Sequence, residues 1–302
     1  MGIKSLKDRW KSTQKSAYLF LAPWLVGILA FSIIPMIVSL YYSFTDFNMF
    51  NDPDWVAIEN YQRMFHDPRF IQSLKITMRY VLVGVPLQLA FALFLAVILN
   101  EHVPGVRIFR AVYYVPSLLG GSVAIALLWR QIFGIDGLLN KLLAFLGFTD
   151  ISGTSWLNNP KSAIYTLVVL LVWQFGSCMV IFVSGIKNIP SVLYEAAEID
   201  GAGPVARFLH VTFPMLTPII FFNLLMQIIS AFQAFTPAFI IGKGTGGFRD
   251  SILFYTLYLY FKGFTEFAMG YASAMAWFLL LVIGLIVVLL FATSRFWVHY
   301  DD

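Results

Sequence analysis

The sequence has few charged residues. Asp, Glu, Lys and Arg make up 12% of its 302 residues, whereas soluble domains carry about 25%. Hydrophobic residues make up 59% of the chain, and its mean hydropathy is +0.78. This composition excludes an ordinary soluble domain, because too little polar surface exists to cover one, and it indicates an integral membrane protein. The small net charge of +4 forms no basic stripe, so nucleic acid is not an expected partner.

Residues that usually carry chemistry are also scarce. The single cysteine, Cys178, excludes a disulfide within the chain and a cysteine metal site. No carboxylate pair is evident, and Gly242–Gly247 lacks the residue order of a phosphate-binding P-loop. The four histidines are scattered over different loops: His66, His102, His210 and His299. The sequence therefore predicts no catalytic residue, no cofactor and no metal on this chain.

Six apolar segments are long enough to cross a bilayer, which takes about 20 residues. They run over 18–44, 76–99, 109–133, 163–186, 214–241 and 270–294. The first exceeds the apolar core of a cleavable signal peptide, and Pro35 within it predicts a tilt or kink. The predicted fold is all-α and polytopic, with six transmembrane helices over 18–294 and tails over 1–17 and 295–302.

The charges predict the orientation in the membrane. The N-terminal tail holds five basic residues and one acidic residue, Asp8, so we expect it to be cytoplasmic. Six spans then return the C-terminus to the cytoplasm and place the 187–213 loop there. Every Asp and Glu falls outside the six segments, which disfavours a proton-driven transporter.

The loop between the fourth and fifth segments predicts a helix-turn-helix. Ser191 is the expected N-cap of a helix over 192–199, Gly201 can take the left-handed conformation that ends it, and Pro204 suits the start of a second helix. Two readings are open, a docking site for another protein and a helix lying on lipid. Its acidic residues favour docking, because the inner leaflet is negative. They would pair with basic residues of the partner or with Arg207.

Residues of this loop resemble the EAA loop of ABC-importer permeases. The matching residues are Glu195-Ala196-Ala197, Asp200-Gly201-Ala202, Phe208, Pro214 and Pro218. One departure is Val211-Thr212-Phe213, where the family often has Ile-x-Leu. We call residues 190–218 the coupling loop, because the resemblance implies that its helix sits in a cleft of a cytoplasmic ATPase. The residues assigned this role by resemblance are Glu195, Ala196, Ala197, Asp200 and Gly201.

The wider chain is similar to the maltose/oligosaccharide branch of these permeases. The similarity is carried by Ser43-Phe44-Thr45-Asp46, Glu59-Asn60-Tyr61, Phe109-Arg110, Ile189-Pro190 and Met269-Gly270-Tyr271-Ala272-Ser273-Ala274. It implies a permease subunit of a bacterial inner-membrane importer with a type I core and a carbohydrate substrate. The implied partners are a second permease, an ABC ATPase dimer that holds ATP and Mg, and an extracytoplasmic sugar-binding protein. The binding protein would meet the outer loops, at 45–75, 134–161 and 242–269.

Polar residues in the fourth and fifth segments are candidates for the substrate path. Gln174 and Cys178 are four residues apart, on one face of a continuous helix. Asn223, Gln227 and Ser230 likewise share a face in the next segment. Such residues either bond across helices or line a path for sugar. The family's sugar contacts fall on the matching stretches, which by resemblance assigns the path to Gln174, Phe175, Cys178, Gln227, Ser230, Ala231 and Ala234, with Gln233 as a neighbour.

Two other protein classes fit a polytopic membrane protein less well. A self-contained secondary carrier or channel for a neutral polar solute would usually carry an internal repeat or a mid-membrane ionisable group, and the sequence has neither. A membrane-embedded enzyme would need a catalytic cluster, which the sequence also lacks.

Overall fold

The computed structural model describes residues 18, 20–100, 105–148 and 154–299. The tail predicted over 1–17 lies outside the described residues, as do positions 300–302 of the C-terminal tail. Within the described ranges the chain is helical, without strands, and has one isolated antiparallel bridge between Thr45 and Trp55. The prediction of an all-α fold is confirmed.

The described helices follow one another with short connections. They are α1 (Phe20–Tyr42), α2 (Glu59–His66), α3 (Pro68–Ile98), α4 (Val106–Leu119), α5 (Val123–Ile132), α6 (Leu138–Phe145), α7 (Ala163–Trp173), α8 (Gly176–Asn188), α9 (Ser191–Ile199), α10 (Pro204–Arg207), α11 (Phe213–Phe232), α12 (Thr236–Ile241), α13 (Tyr255–Tyr260) and α14 (Met269–Ser294). Helix α1 contains a π-helical turn, and further π-helical turns follow α10 and α13: Leu29–Ile33, Phe208–Thr212 and Phe261–Thr265.

Four helical stretches are each long and apolar enough to cross a membrane: α1, α3, Pro204–Ile241 and α14. Two bent pairs pass the same test together, α4 with α5 at 98° and α7 with α8 at 42°. The described chain therefore has four such helices, or up to six if each bent pair is one span. A polytopic membrane protein is confirmed, and two of the predicted spans are bent pairs of helices rather than single helices.

The second predicted span begins earlier than the apolar pattern indicates. Helix α3 starts at Pro68, where the Asp67 carboxylate accepts a hydrogen bond from the Arg69 backbone N–H at 2.9 Å. An N-cap of this kind satisfies a donor that has no partner within the helix. The cap extends the helix into polar sequence that a hydropathy profile does not detect.

The first span carries its irregularity beside the predicted proline. The π-helical turn Leu29–Ile33 ends two residues before Pro35. A proline lacks an N–H, and its ring crowds the carbonyl four residues earlier, here that of Phe31. The wider π turn therefore lies where a regular α-turn would be disturbed.

The chain divides into two compact units. The first comprises residues up to Met64 together with Lys262–Phe278. In it, the Asn60 side chain donates hydrogen bonds to the backbone carbonyls of Ser43, at 3.1 Å, and Thr45, at 2.7 Å. A β-carbon on Gly270 would lie 2.0 Å from the Thr45 carbonyl oxygen. This contact requires glycine at the start of α14.

The second unit comprises Phe65–Phe261 and the chain from Leu279 onward. Helix α3 packs against α7, α8 and α11, and small residues permit close contact between helices. A β-carbon on Gly84 would lie 2.7 Å from Leu171 Cδ2, and one on Gly185 would lie 2.2 Å from Ile219 Cδ1. Small residues at helix contacts are typical of membrane bundles, and here they bring the broken helices together.

Candidate functional site

Three interruptions of helices border one cavity in the second unit. The cavity has a volume of about 320 Å³, near the lower end of the range for small-molecule sites. We call it the break-lined cavity. Its lining residues are Tyr80, Gly120, Gly121, Leu171, Gln174, Ser230, Ala231, Gln233, Ala234, Phe235, Thr236 and Pro237.

The first interruption separates α4 from α5. Gly120 and Gly121 follow α4, and the Ser122 side chain caps α5 by accepting a hydrogen bond from the Ile125 N–H at 3.3 Å. A β-carbon on Gly120 would lie 2.1 Å from Gln174 Cδ. The glycine therefore creates the space in which the Gln174 side chain lies.

The second interruption separates α7 from α8 at Gln174 and Phe175. It leaves the Gln174 backbone carbonyl outside the helical pattern, where this oxygen accepts hydrogen bonds from the side chains of Gln88 and Ser117, each at 3.1 Å. The Ser117 hydroxyl also accepts a hydrogen bond from the Ser177 N–H at 2.9 Å. Unpaired backbone groups are costly inside a membrane, so these side chains stabilise the break.

The third interruption separates α11 from α12 over residues 233–235. The Ala234 carbonyl accepts a hydrogen bond from the Thr256 hydroxyl, and the Phe235 ring lies 5.3 Å from the rings of both Phe239 and Tyr260. The break is thus packed on one side and opens onto the cavity on the other. Discontinuous helices that surround a cavity are a common construction of substrate sites in transporters.

The structure brings five of the eight predicted path residues onto the cavity wall: Gln174, Ser230, Ala231, Gln233 and Ala234. Phe175 is buried instead, with its ring 4.9 Å from that of Phe91. Cys178 is buried as well, and the Gln227 side chain lies near it.

The shared face predicted for Gln174 and Cys178 is wrong. That prediction assumed one continuous helix through both residues, but α7 ends at Trp173 and α8 begins at Gly176. The two helices meet at a bend of 42°, and of the two residues only Gln174 lies on the cavity wall. Gln174 therefore lines the cavity, whereas Cys178 faces Gln227 in the helix packing.

Several cavity residues were missed from the sequence: Tyr80, Gly120, Gly121, Leu171, Phe235, Thr236 and Pro237. The adjacent glycines, followed by a serine, were a usable signal, since such a run inside an apolar segment breaks a helix. Nothing local marked Tyr80, which reaches the cavity from the middle of α3.

The chemistry of the cavity is that of uncharged hydrogen-bonding groups beside aromatic rings. Gln174, Gln233, Ser230 and Thr236 supply amide and hydroxyl groups, which can both donate and accept hydrogen bonds. No residue along the described lining is charged. The arrangement suits a ligand rich in hydroxyl groups.

The coupling loop contains a complete Schellman motif at the end of α9. The Gly201 N–H donates to the Glu198 carbonyl at 3.0 Å, and the Ala202 N–H donates to the Ala197 carbonyl at 2.9 Å. Gly201 has φ +76°, the left-handed conformation that this motif requires. The predicted stop at Gly201 is confirmed, as is a second helix starting at Pro204.

The start of α9 differs from the prediction. Ser191 is its first helical residue rather than its N-cap, and no side chain caps the helix. Pro190, with ψ 131°, brings the chain into the helix in an extended conformation. Its own carbonyl accepts a hydrogen bond from the Leu193 N–H at 3.2 Å, so a serine cap is not needed.

Helix α9 is anchored on one side and exposed on the other. The hydroxyl groups of Tyr194 and Thr212 lie 2.9 Å apart, within hydrogen-bonding distance. Arg207 lies 3.6 Å from Glu198, which agrees with one of the two pairings predicted for the acidic residues. Of the predicted coupling residues, Glu195, Ala196, Asp200 and Gly201 are exposed and Ala197 is half-buried.

Gly242–Gly247 forms a hydrogen-bonded turn rather than an extended loop. The Gly244 N–H donates to the Phe239 carbonyl at 2.8 Å, and the Gly247 N–H donates to the Thr245 hydroxyl at 3.2 Å. Arg69 and Asp250 form an ion pair at 2.8 Å next to this turn. The turn is therefore held at the N-terminal end of α3.

Known proteins similar to the chain share its length and its fold. The chain is 54% identical to a probable ABC transporter permease protein, YesP of Bacillus subtilis, over 95% of this chain and 93% of that protein. It is 32% identical to the arabinooligosaccharides transport system permease protein AraP of Bacillus subtilis, over 92% of this chain and 88% of the relative. A bacterial ABC transporter involved in the import of alginate has a similar fold, with a TM-score of 0.80 and 20% identity, over 95% of this chain and 98% of that one.

The family model for the binding-protein-dependent transport system inner membrane component matches residues 89–300. This range includes the break-lined cavity, apart from Tyr80, and the whole coupling loop. The resemblance to carbohydrate-importer permeases predicted from the sequence is confirmed. The chain belongs to the family of ABC-transporter permeases that form the inner membrane component of binding-protein-dependent transport systems.

Proposed function

We propose that this chain is a transmembrane permease subunit of an ATP-driven importer of carbohydrate, and that the carbohydrate is an oligosaccharide. The observation that carries the proposal is the coupling loop. It presents an acidic helix, ended by a Schellman motif, between two membrane-spanning stretches. Membership of the permease family supports this function, and the oligosaccharide in the name of the relative AraP supports the substrate class.

The coupling loop would engage a separate cytoplasmic ATPase. Its exposed face carries apolar residues beside the acidic ones, including Ile199, 87% exposed, and Val205, 72% exposed. Exposed apolar residues rimmed by polar ones suit a protein interface. The residues proposed to enter the ATPase cleft are Glu195, Ala196, Ala197, Asp200 and Gly201.

The break-lined cavity would form part of the sugar path. Gln174, Ser230 and Gln233 would contact the sugar hydroxyls directly. Phe175, Cys178 and Gln227 would support this wall from behind. Closure of the ATPase pair on ATP would move the coupling loop and change the access to the path, which requires one two-state element that both sites bias.

Other subunits would complete the importer. We propose a second permease, an ABC ATPase dimer that binds ATP and Mg, and an extracytoplasmic sugar-binding protein that meets the outer loops, including the Gly242–Gly247 turn. The chain itself would bind no cofactor. In the bacterial plasma membrane both of its termini would face the cytoplasm, with the coupling loop on the same side.

A pull-down from native membranes tests this proposal. The tagged chain would be solubilised in detergent and its co-purifying proteins identified by mass spectrometry. We expect an ATPase and a second permease of similar size. Recovery of the chain alone, under detergent conditions that preserve a known importer, would contradict the proposal and favour a self-contained carrier or channel.

A further inference from the structure

Two adjoining cavities lie where α3 approaches Asn100, in the second unit. The apolar groove, of about 460 Å³, is lined by Ala90, Leu93, Phe94, Val97, Phe208, Leu209 and Phe213. The arginine cavity, of about 330 Å³, is lined by Val97, Asn100, Ile186, Tyr194, Pro204, Arg207, Phe208 and Thr212. Val97 and Phe208 line both, so an apolar cavity and a more polar cavity adjoin here.

The apolar groove runs along the axis of α3. Ala90, Leu93, Phe94 and Val97 form a stripe at helical spacing that is about 10 Å long. Phe94 is 60% exposed and Leu209 is 53% exposed, so the described chain does not cover them. The stripe spans about two thirds of one leaflet, given a hydrocarbon core of about 30 Å. A stripe of this length can hold part of an acyl chain.

The arginine cavity offers hydrogen-bond donors and positive charge at the end of this groove. Arg207 has one ion-pair partner among the described residues, Glu198 at 3.6 Å. The Glu198 side chain is 74% exposed, so this pair neutralises the guanidinium weakly. The Asn100 amide lines the same cavity.

A second guanidinium adds to the positive charge near the end of α3. Arg110 Nη2 donates a hydrogen bond to the Leu99 carbonyl, one residue before Asn100. Its Nε is buried and has no hydrogen-bond partner among the described residues. Both arginines lie near the ends of apolar segments, where long basic side chains can reach toward head groups.

We propose that the groove and the cavity together bind one anionic phospholipid. Its acyl chain lies in the apolar groove, and its phosphate accepts hydrogen bonds from Arg207 and Asn100. Charge complementarity selects this occupant, since basic pockets between transmembrane helices bind anionic head groups. A lipid there contacts α3 and also Phe208, in the π turn of the coupling loop that leads into α11. The site lies outside the break-lined cavity and does not depend on the identity of the transported solute.

Photolabelling of the intact transporter tests the site. The complex would be reconstituted with phosphatidylglycerol that carries a diazirine in its acyl chain, and labelled peptides would be identified by mass spectrometry. We expect labels on the α3 stripe and on residues 208–213, and about tenfold less labelling in Arg207→Gln, from loss of a charged hydrogen bond. Arg249→Gln, at an arginine outside both cavities, is the matched control and should label like the wild type. Arg207→Lys, which keeps the charge, should retain most of the label even if Arg207→Gln fails to assemble.

Three results would overturn the proposal. Equal labelling by a phosphatidylcholine analogue with the same acyl chain would show that the head group is not recognised. Loss of label on addition of inorganic phosphate would identify a free-phosphate site. An unlabelled groove in the assembled wild-type complex would show that another subunit covers it.

Discussion

The Gln174 side chain lies directly over Gly120, with its Cδ 2.1 Å from the position that a β-carbon on this glycine would take. Each residue belongs to a different helix break, so the contact joins the bend between α4 and α5 to the break between α7 and α8. Gln174 also lines the break-lined cavity. The conformation of the break between α4 and α5 therefore affects which polar group the break between α7 and α8 presents to this cavity.

Gly120→Ala should therefore displace the Gln174 side chain and weaken the response to sugar. We expect a several-fold loss of substrate-stimulated ATP hydrolysis by the reconstituted importer. A double-mutant cycle with Gln174→Ala should show a coupling free energy of about 1 kcal/mol, since the two residues are in contact. The matched control is Gly121→Ala, because a β-carbon on Gly121 meets nothing within 4 Å. If the effects of Gly120→Ala and Gln174→Ala are additive, the contact between these two residues is not the cause of the loss.

Gly201→Asp should abolish uptake while leaving membrane insertion intact. The φ of +76° costs an L-residue about 1–2 kcal/mol, and the new carboxylate would lie on the proposed docking face. The matched control is Gly203→Asp in the same loop, where φ is −70° and a β-carbon likewise meets nothing. Uptake by cells measures transport, and the amount of protein in membrane fractions measures membrane insertion. If the Gly201 variant transports normally, the end of α9 has no role in coupling.

Gln227→Leu should lower stability more than it alters transport, because the Gln227 side chain lies near the buried Cys178 in the packing between helices. A change of side-chain shape at a packed helix contact costs about 1–3 kcal/mol, measurable as a lower thermal midpoint of the purified complex. Gln233→Leu should do the opposite, because Gln233 is exposed and lines the cavity. A reduced sugar response in the Gln227 variant at unchanged stability would place Gln227 on the sugar path after all.

Gly270→Ala should destabilise the first unit. The new methyl group would lie 2.0 Å from the Thr45 carbonyl oxygen, a backbone atom that cannot move aside alone, and overpacking of this kind costs about 1–3 kcal/mol. Gly284→Ala in the same helix is the control, since a β-carbon there meets nothing within 4 Å. Thermal unfolding of the purified complex would compare them, and equal midpoints would contradict the prediction.

The sequence predicts the apolar segments well, because hydropathy measures what a bilayer requires. It does not predict where helices bend. The elbow of 98° between α4 and α5 follows from Gly120 and Gly121, but its angle depends on the close approach of Gln174 from another helix. The early start of α3 follows from a cap by Asp67 that is polar and invisible to hydropathy.

The coupling loop was more predictable than the cavity. Its end depends on local geometry, since Gly201 and the two backbone hydrogen bonds around it belong to one short stretch of sequence. The cavity depends on contacts between distant residues. Spacing alone placed Cys178 beside Gln174, and the break between α7 and α8 separated them. Tyr80 joins the cavity only through the packing of α3, which no local pattern records.

The π-helical turn Phe208–Thr212 affects the rotation of side chains about the helix axis along Pro204–Phe232, which is helical without interruption. A π turn contains about one residue more than an α-turn, and one residue corresponds to about 100° of rotation about the axis. The single extra residue therefore sets the azimuth of Arg207 relative to Ser230 on the same helical stretch. A relative with the same loop motif but one residue fewer in this turn would point its coupling loop in a different direction around the helix.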